Sequence, residues 1–225
     1  MHVVFSGVDG AGKSTQINLL MDHLRAQGRQ PVYLWTRGGY TPWFNTLKDG
    51  MRRLSGGKAM PSAGPSKQRE QTLGRPAIRK LWLTLAILEL VWIYGVQIRW
   101  WQLRGKVVVC DRYIDDTLLD FRHNFPQEDV AQWPLWTLLG VAAAKPNVTF
   151  LLLVPVEESL RRSQQKNEPF PDSPETLRWR LAHYEELAAR RTWHVFDGRM
   201  PLTEIAAALR VIVNQKTDHQ SVVSA

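Results

Sequence analysis

Eight residues near the start of the chain constrain its fold more than any other feature. Gly7-Val8-Asp9-Gly10-Ala11-Gly12-Lys13-Ser14 fits the pattern G-x-x-x-x-G-K-[ST] in full. Its context fits as well. Val3-Val4-Phe5-Ser6 is a short β-branched and aromatic run that reads as a buried strand. Lys13 to Gln27 carries Ile17, Leu20, Met21 and Leu24 at three- and four-residue steps before Gly28, which predicts a helix. A strand entering a glycine-rich turn that opens a helix is a phosphate cradle. Its glycines allow backbone N–H groups to wrap phosphate oxygens, and the helix adds its positive dipole end. Gly7, Gly10, Ala11, Gly12, Lys13, Ser14 and Thr15 are therefore the expected nucleotide-binding residues. Lys13 supplies the point charge for the β- and γ-phosphates, and the Ser14 hydroxyl is an expected Mg²⁺ ligand.

Further strands are expected at Pro31–Trp35, Val107–Cys110, Val148–Val154 and Trp193–Phe196, alternating with helical patterns. That alternation predicts an α/β chain with a parallel sheet covered on both faces. The length of 225 residues suits one domain over 1–215 with a flexible polar tail at 216–225. A single cysteine, Cys110, excludes a disulfide framework or a multi-cysteine zinc site, and six scattered histidines show no ligand spacing. The opening residues lack a basic stretch followed by an apolar run, so a cytoplasmic chain is expected.

The net charge of +8 is not spread evenly. Nine Lys and Arg residues lie between Lys48 and Lys80 against Asp49 and Glu70, a local +7. With the rest of the chain at +1, a general nucleic-acid-binding coat does not fit. The Gly, Pro and Ser content of this segment predicts a mobile basic loop that faces an anion. Leu81–Trp101 is apolar enough to suggest a membrane span. Glu89 at its centre would cost about 2.5–3.5 kcal/mol there, so a buried core helix is the preferred reading. Contact with a membrane surface stays open. The Trp set (Trp82, Trp92, Trp100, Trp101, Trp133, Trp136) reads as core and helix-contact material.

Asp111-Arg112-Tyr113 follows the third strand directly. A carboxylate at the carboxyl end of a parallel strand enters the crevice where such sheets bind ligands. Asp111 is thus an expected Mg²⁺ ligand and Arg112 an expected anion grip.

Taken together, Val4 to Gln16, Thr36-Arg37, Ile98-Arg99, Arg104 to Tyr113, and Glu157 to Arg162 followed by Tyr184 resemble the thymidylate kinase-like family of P-loop kinases, over about residues 1–209. The resemblance implies a three-layer P-loop NTPase fold with a five-stranded parallel sheet, flanking helices and a short lid at about 160–175. It also implies ATP, Mg²⁺, a small-molecule acceptor and a homodimer. Lys13, Asp9, Arg112 and Arg162 are the catalytic residues it implies, with Lys166 also at the lid. Asp9, Arg37, Arg112, Tyr113 and Asp116 take the acceptor side.

Some positions depart from the family. Ala86, Glu89 and Leu90 stand where thymidylate enzymes carry a base-stacking Phe and an Asp-Arg pair. Asp115, Asp116 and Asp120 replace small polar residues and a Tyr, and Leu153 replaces an Asp. The first reading is therefore a kinase for a nucleoside monophosphate such as dTMP. The alternatives are a kinase for a sugar, nucleoside or lipid-linked hydroxyl, which spaced aspartates suit, and a nucleotide-binding switch without an acceptor.

Overall fold

The computed structural model describes residues 1–36, 38, 73–166, 172–190 and 192–223. Arg37, most of the basic segment and lid positions 167–171 lie outside the described residues.

Five strands form one all-parallel sheet: β1 His2–Gly7, β2 Pro31–Trp35, β3 Val107–Asp111, β4 Val148–Leu153 and β5 His194–Asp197. Their order is β2-β3-β1-β4-β5, with β1 central. β1 pairs Phe5 with Asp111 of β3 and Gly7 with Leu152 of β4. The turns after β1 and β3 therefore leave neighbouring strands side by side at the carboxyl end of the sheet, where the strand order reverses.

Alternation along the strands divides the core in two. Val4, Val108 and Cys110 face a layer containing Leu83, Ile87, Leu90, Tyr94, Ile98, Phe121, Trp136 and Leu139. Val3, Phe5, Val107 and Val109 face Ile17, Leu20, Leu24, Tyr184, Leu209 and Val213. The described α-helices are α1 Lys13–Ala26, α2 Pro76–Leu90, α3 Ile98–Leu103, α4 Ile114–Asn124, α5 Pro134–Ala142, α6 Val156–Gln165, α7 Pro174–Ala188 and α8 Leu202–Val223. β1 and β3 are buried along their whole length, as continuous Val-rich strands covered on both faces must be.

The apolar stretch forms one helical rod from Pro76 to Leu103, with a π-helical segment, Val91–Gln97, joining α2 to α3. The rod is long and apolar enough to cross a bilayer, yet 56% of its most apolar window is buried in the protein. Leu83, Ala86, Ile87, Leu90, Tyr94 and Ile98 are fully buried. Each large apolar side chain of this kind contributes about 1.5–3 kcal/mol to folding. Gly95 lets the π segment approach α5, where an added Cβ would lie 3.2 Å from the Ala142 carbonyl oxygen. The opposite face of the rod exposes Leu81, Leu88, Trp92, Val96, Trp100 and Leu103. The core reading of the tryptophans thus holds for Trp82 and Trp136 but not for Trp92 and Trp100, which are 61% and 52% exposed.

Helix α8 extends past Lys216 to Val223; Ala206, Leu209 and Val213 anchor its earlier turns to the core, and Arg29 Nη1 donates to Thr217 Oγ1 at 2.9 Å.

Candidate active site

The residues after β1 wrap a tight loop. Gly7 has φ 133°, and a Cβ there would sit 1.9 Å from the Leu152 carbonyl oxygen, so no other residue fits. Gly10 permits a second close approach: its Cβ would meet Ser159 backbone atoms of α6 at 3.2–3.3 Å. Lys13 opens α1, whose first amides have no partner within the helix.

A cleft of about 170 Å³ opens over this loop, lined by Asp9, Gly10, Gly12, Lys13, Ser14, Trp35, Asp111, Arg112 and Lys166. Lys13 is buried, and its Nζ donates to the carbonyls of Gly7 (2.9 Å) and Val8 (2.8 Å). Burial, reinforced by the Arg112 charge, pulls its pKa down to about 8. Asp9 Oδ1 lies 3.8 Å from this ammonium and forms an ion pair with Arg112 Nη2.

Arg112 has φ 81°, an uncommon conformation for a non-glycine residue. Its amide donates to the Phe5 carbonyl at 2.8 Å, and its buried guanidinium is held by Asp9, Tyr184 Oη (3.1 Å) and Asp116 Oδ1 (3.5 Å). Asp116 is itself fully buried. It accepts from Ser6 Oγ, from the Tyr113 amide at 3.1 Å and from Tyr184 Oη at 2.7 Å. Tyr113 points its hydroxyl to the Ala144 carbonyl at 2.7 Å and packs against Tyr94, with ring centroids 4.3 Å apart.

Asp111 Oδ2 accepts from Tyr33 Oη at 3.2 Å, while its Oδ1 is buried without a hydrogen-bond partner among the described residues. An orphaned carboxylate oxygen in a cleft shared with Ser14 suits a hard cation. Arg162, on α6, donates to the carbonyls of Gly10 (3.0 Å) and Gly198 (3.1 Å) and pairs with Glu158. Ser159 Oγ donates to the Asp9 carbonyl at 2.6 Å, so α6 is bonded to the P-loop at two places. Lys166, one residue beyond α6, reaches the cleft.

The structure thus gathers Asp9, Gly10, Gly12, Lys13, Ser14, Asp111 and Arg112 around one cleft. It puts Tyr113 and Asp116 in the buried layer behind Arg112, and Arg162 against the loop backbone. Ala86 and Leu90 are fully buried, and Glu89 is buried beside them. Asp120 pairs with Arg180 at 2.7 Å, and Asp115 lies 3.7 Å from Arg190. Trp35 and Tyr33 were not singled out from sequence. The register that sets Trp35 beside Asp111 puts Trp35 at the cleft, and the period-two spacing on β2 turns Tyr33 to the same side, where its hydroxyl meets Asp111.

A central strand, phosphate-cradling loop and helix, with a carboxylate and an arginine from the adjacent strand, define a P-loop phosphotransferase. No protein-family profile matches the chain. It is 31% identical to the thymidylate kinase of Thermomicrobium roseum over 227 aligned positions, covering 95% of this chain and 94% of that protein. It is 30% identical to the thymidylate kinase of Cutibacterium acnes, covering 93% and 94%. Against the thymidylate kinase of Herpetosiphon aurantiacus it is 28% identical, covering 88% and 76%. The chain belongs to the thymidylate kinase family.

Proposed function

We propose that the protein is a cytoplasmic, ATP- and Mg²⁺-dependent kinase that transfers the γ-phosphoryl group of ATP to dTMP. The observation that carries this reading is the position of Asp9, between the donor-side ammonium of Lys13 and the acceptor-side guanidinium of Arg112. Lys13 exchanges its bonds to the Gly7 and Val8 carbonyls for β- and γ-phosphate oxygens. Arg112 grips the acceptor phosphate. Asp9 keeps the two cations in register, which is the positioning that in-line transfer requires. Ser14 and Asp111 would hold Mg²⁺, which neutralises charge on the transferring phosphoryl group when bound. Arg162 braces the loop, and Lys166 faces the triphosphate from the lid.

A phosphate acceptor fits Asp9 better than a hydroxyl acceptor. A phosphate monoester has a second pKa of about 6 and presents its nucleophilic oxygen without help from a base. A hydroxyl needs a proton acceptor, and the Asp9 carboxylate is already engaged by two cations. The spaced aspartates that suited a sugar are also committed: Asp116 to Arg112 and Tyr184, and Asp120 to Arg180. The exposed stripe from Leu81 to Leu103 supports a homodimer formed through the rod.

The test is ADP release with purified protein, ATP and Mg²⁺ over dTMP, dUMP, other nucleoside monophosphates, nucleosides and sugars. The expected product is dTDP, with turnover lost in Lys13→Ala by about 10²–10³-fold or more. Turnover of a hydroxyl compound with none of dTMP would overturn the acceptor assignment. Phosphate release without a phosphorylated product would indicate a switch.

A further inference from the structure

The acidic positions of α4 and the polar positions of α7 interlock. Asp116 and Asp120 are one helical turn apart on α4, and Arg180 and Tyr184 are one turn apart on α7. All four side chains are nearly or fully buried. At the outer rung Arg180 Nη1 donates to Asp120 Oδ1 at 2.7 Å, and Arg180 Nε lies 2.8 Å from Asp172 Oδ2. At the inner rung Tyr184 Oη donates to Asp116 Oδ1 at 2.7 Å and accepts from Arg112 Nη1 at 3.1 Å. Asp172 immediately precedes the Ser173 cap of α7. Arg112 sits at the acceptor side of the cleft. Two buried rungs therefore connect the start of α7 to the guanidinium on the acceptor side.

We infer that Tyr184 is a positioning residue for Arg112, and that the Asp172–Arg180–Asp120 clasp holds α7 where Tyr184 can act. This rests on the proposed kinase reading. Arg112 presents Nη2 to Asp9 only while Nη1 is fixed from behind. Rotation about the bond from Cζ to Nε would otherwise exchange the two nitrogens. Asp116 alone is a weak anchor at 3.5 Å; the Tyr184 hydroxyl is closer and aligned with both partners. Burial raises the Tyr184 pKa well above its ordinary value, so the hydroxyl keeps its proton and its polarity as a donor to Asp116. Because the clasp begins at Asp172, the entry to α7 and the orientation of Arg112 are set by the same helix.

The test combines two measurements on wild type, Tyr184→Phe and Asp172→Asn. Tyr184→Phe keeps the ring and removes only the hydroxyl. In steady-state kinetics with ATP and dTMP it should raise the acceptor KM on the order of tenfold, as expected for one hydrogen bond to a charged group. The KM for ATP should stay within twofold. Asp172→Asn should shift the acceptor KM in the same direction by a smaller factor. The second measurement needs no acceptor: ¹⁵N NMR of the Arg112 guanidinium, assigned with Arg112→Lys. Separate, slowly exchanging Nη signals in wild type should merge in Tyr184→Phe. Unchanged Nη signals in that variant would overturn the inference, and so would an equal rise in both KM values. If wild type does not turn over dTMP, the proposed acceptor fails while the NMR arm still decides the role of Tyr184.

Discussion

Asp9 and Arg112, 103 residues apart in the chain, are joined by an ion pair across the floor of the cleft. Parallel pairing of β1 with β3 makes this contact, by bringing the turns that follow the two strands side by side. Removing the charge alone, in Asp9→Asn, should release Arg112 without disturbing the fold. We expect kcat to fall about ten- to hundredfold with a raised acceptor KM, measured by coupled ADP release. A loss beyond about 10³-fold would instead match proton abstraction by Asp9, since general-base contributions reach about 10²–10⁴-fold.

The depressed pKa of Lys13 predicts a pH dependence. Burial first, then Arg112, lowers it from 10.5 to about 8. Below that value the ammonium is charged and can bind phosphate; as pH rises through it, the proton and the charge are lost. The profile of kcat/KM for ATP should therefore turn down near pH 8, since that ratio reports the free enzyme. Bound phosphates restore the charge, so kcat should stay level to higher pH. A ratio that remains flat to about pH 9.5 would exclude a titrating Lys13.

The loop glycines should differ in their tolerance to substitution. Gly12→Ala meets nothing within 4 Å among the described residues and bears the strain of φ 94°, about 1–3 kcal/mol. Gly7→Ala drives a methyl group into the Leu152 carbonyl at the β1–β4 pairing. It should cost about 4–5 kcal/mol, at the extreme of single substitutions. Urea denaturation of the two variants checks the order.

Arg79 and Glu128 form another buried pair, away from the cleft, at 2.8 Å, and Arg79 Nη1 also donates to the Leu73 carbonyl at 3.2 Å. Glu128→Ala leaves a buried guanidinium uncompensated and should lower stability by about 3–5 kcal/mol. The KM for ATP should not change, which kinetics below the melting transition will show.

Charge placed on the exposed stripe tests the homodimer. Trp92→Glu and Trp100→Glu together should convert a dimer to a monomer in light scattering, with the monomer still folded by circular dichroism. A wild-type protein that is monomeric throughout would remove the role proposed for the rod.

The sheet and the donor side of the cleft were legible in the sequence because local rules govern them. Strand, glycine turn and helix are adjacent in the chain, and Asp111-Arg112 follows its strand without a gap. The acceptor side was less legible because its meaning lies in contacts between distant segments. Asp116 and Asp120 read as ligands for a sugar until Arg180 and Tyr184, 60 and 68 residues after the aspartates they meet, are seen to occupy them. Trp92 and Trp100 share the composition of the core tryptophans; only the direction of each side chain on the rod separates them. Tyr33 and Trp35 lie on a strand whose partner and register the sequence does not specify.

The bonds from Ser159 and Arg162 to the P-loop backbone limit how the enzyme can exchange nucleotides. With the Asp9 and Gly10 carbonyls tied to Ser159 and Arg162, the P-loop and α6 shift as one body, so a nucleotide that reshapes the loop must carry that helix with it.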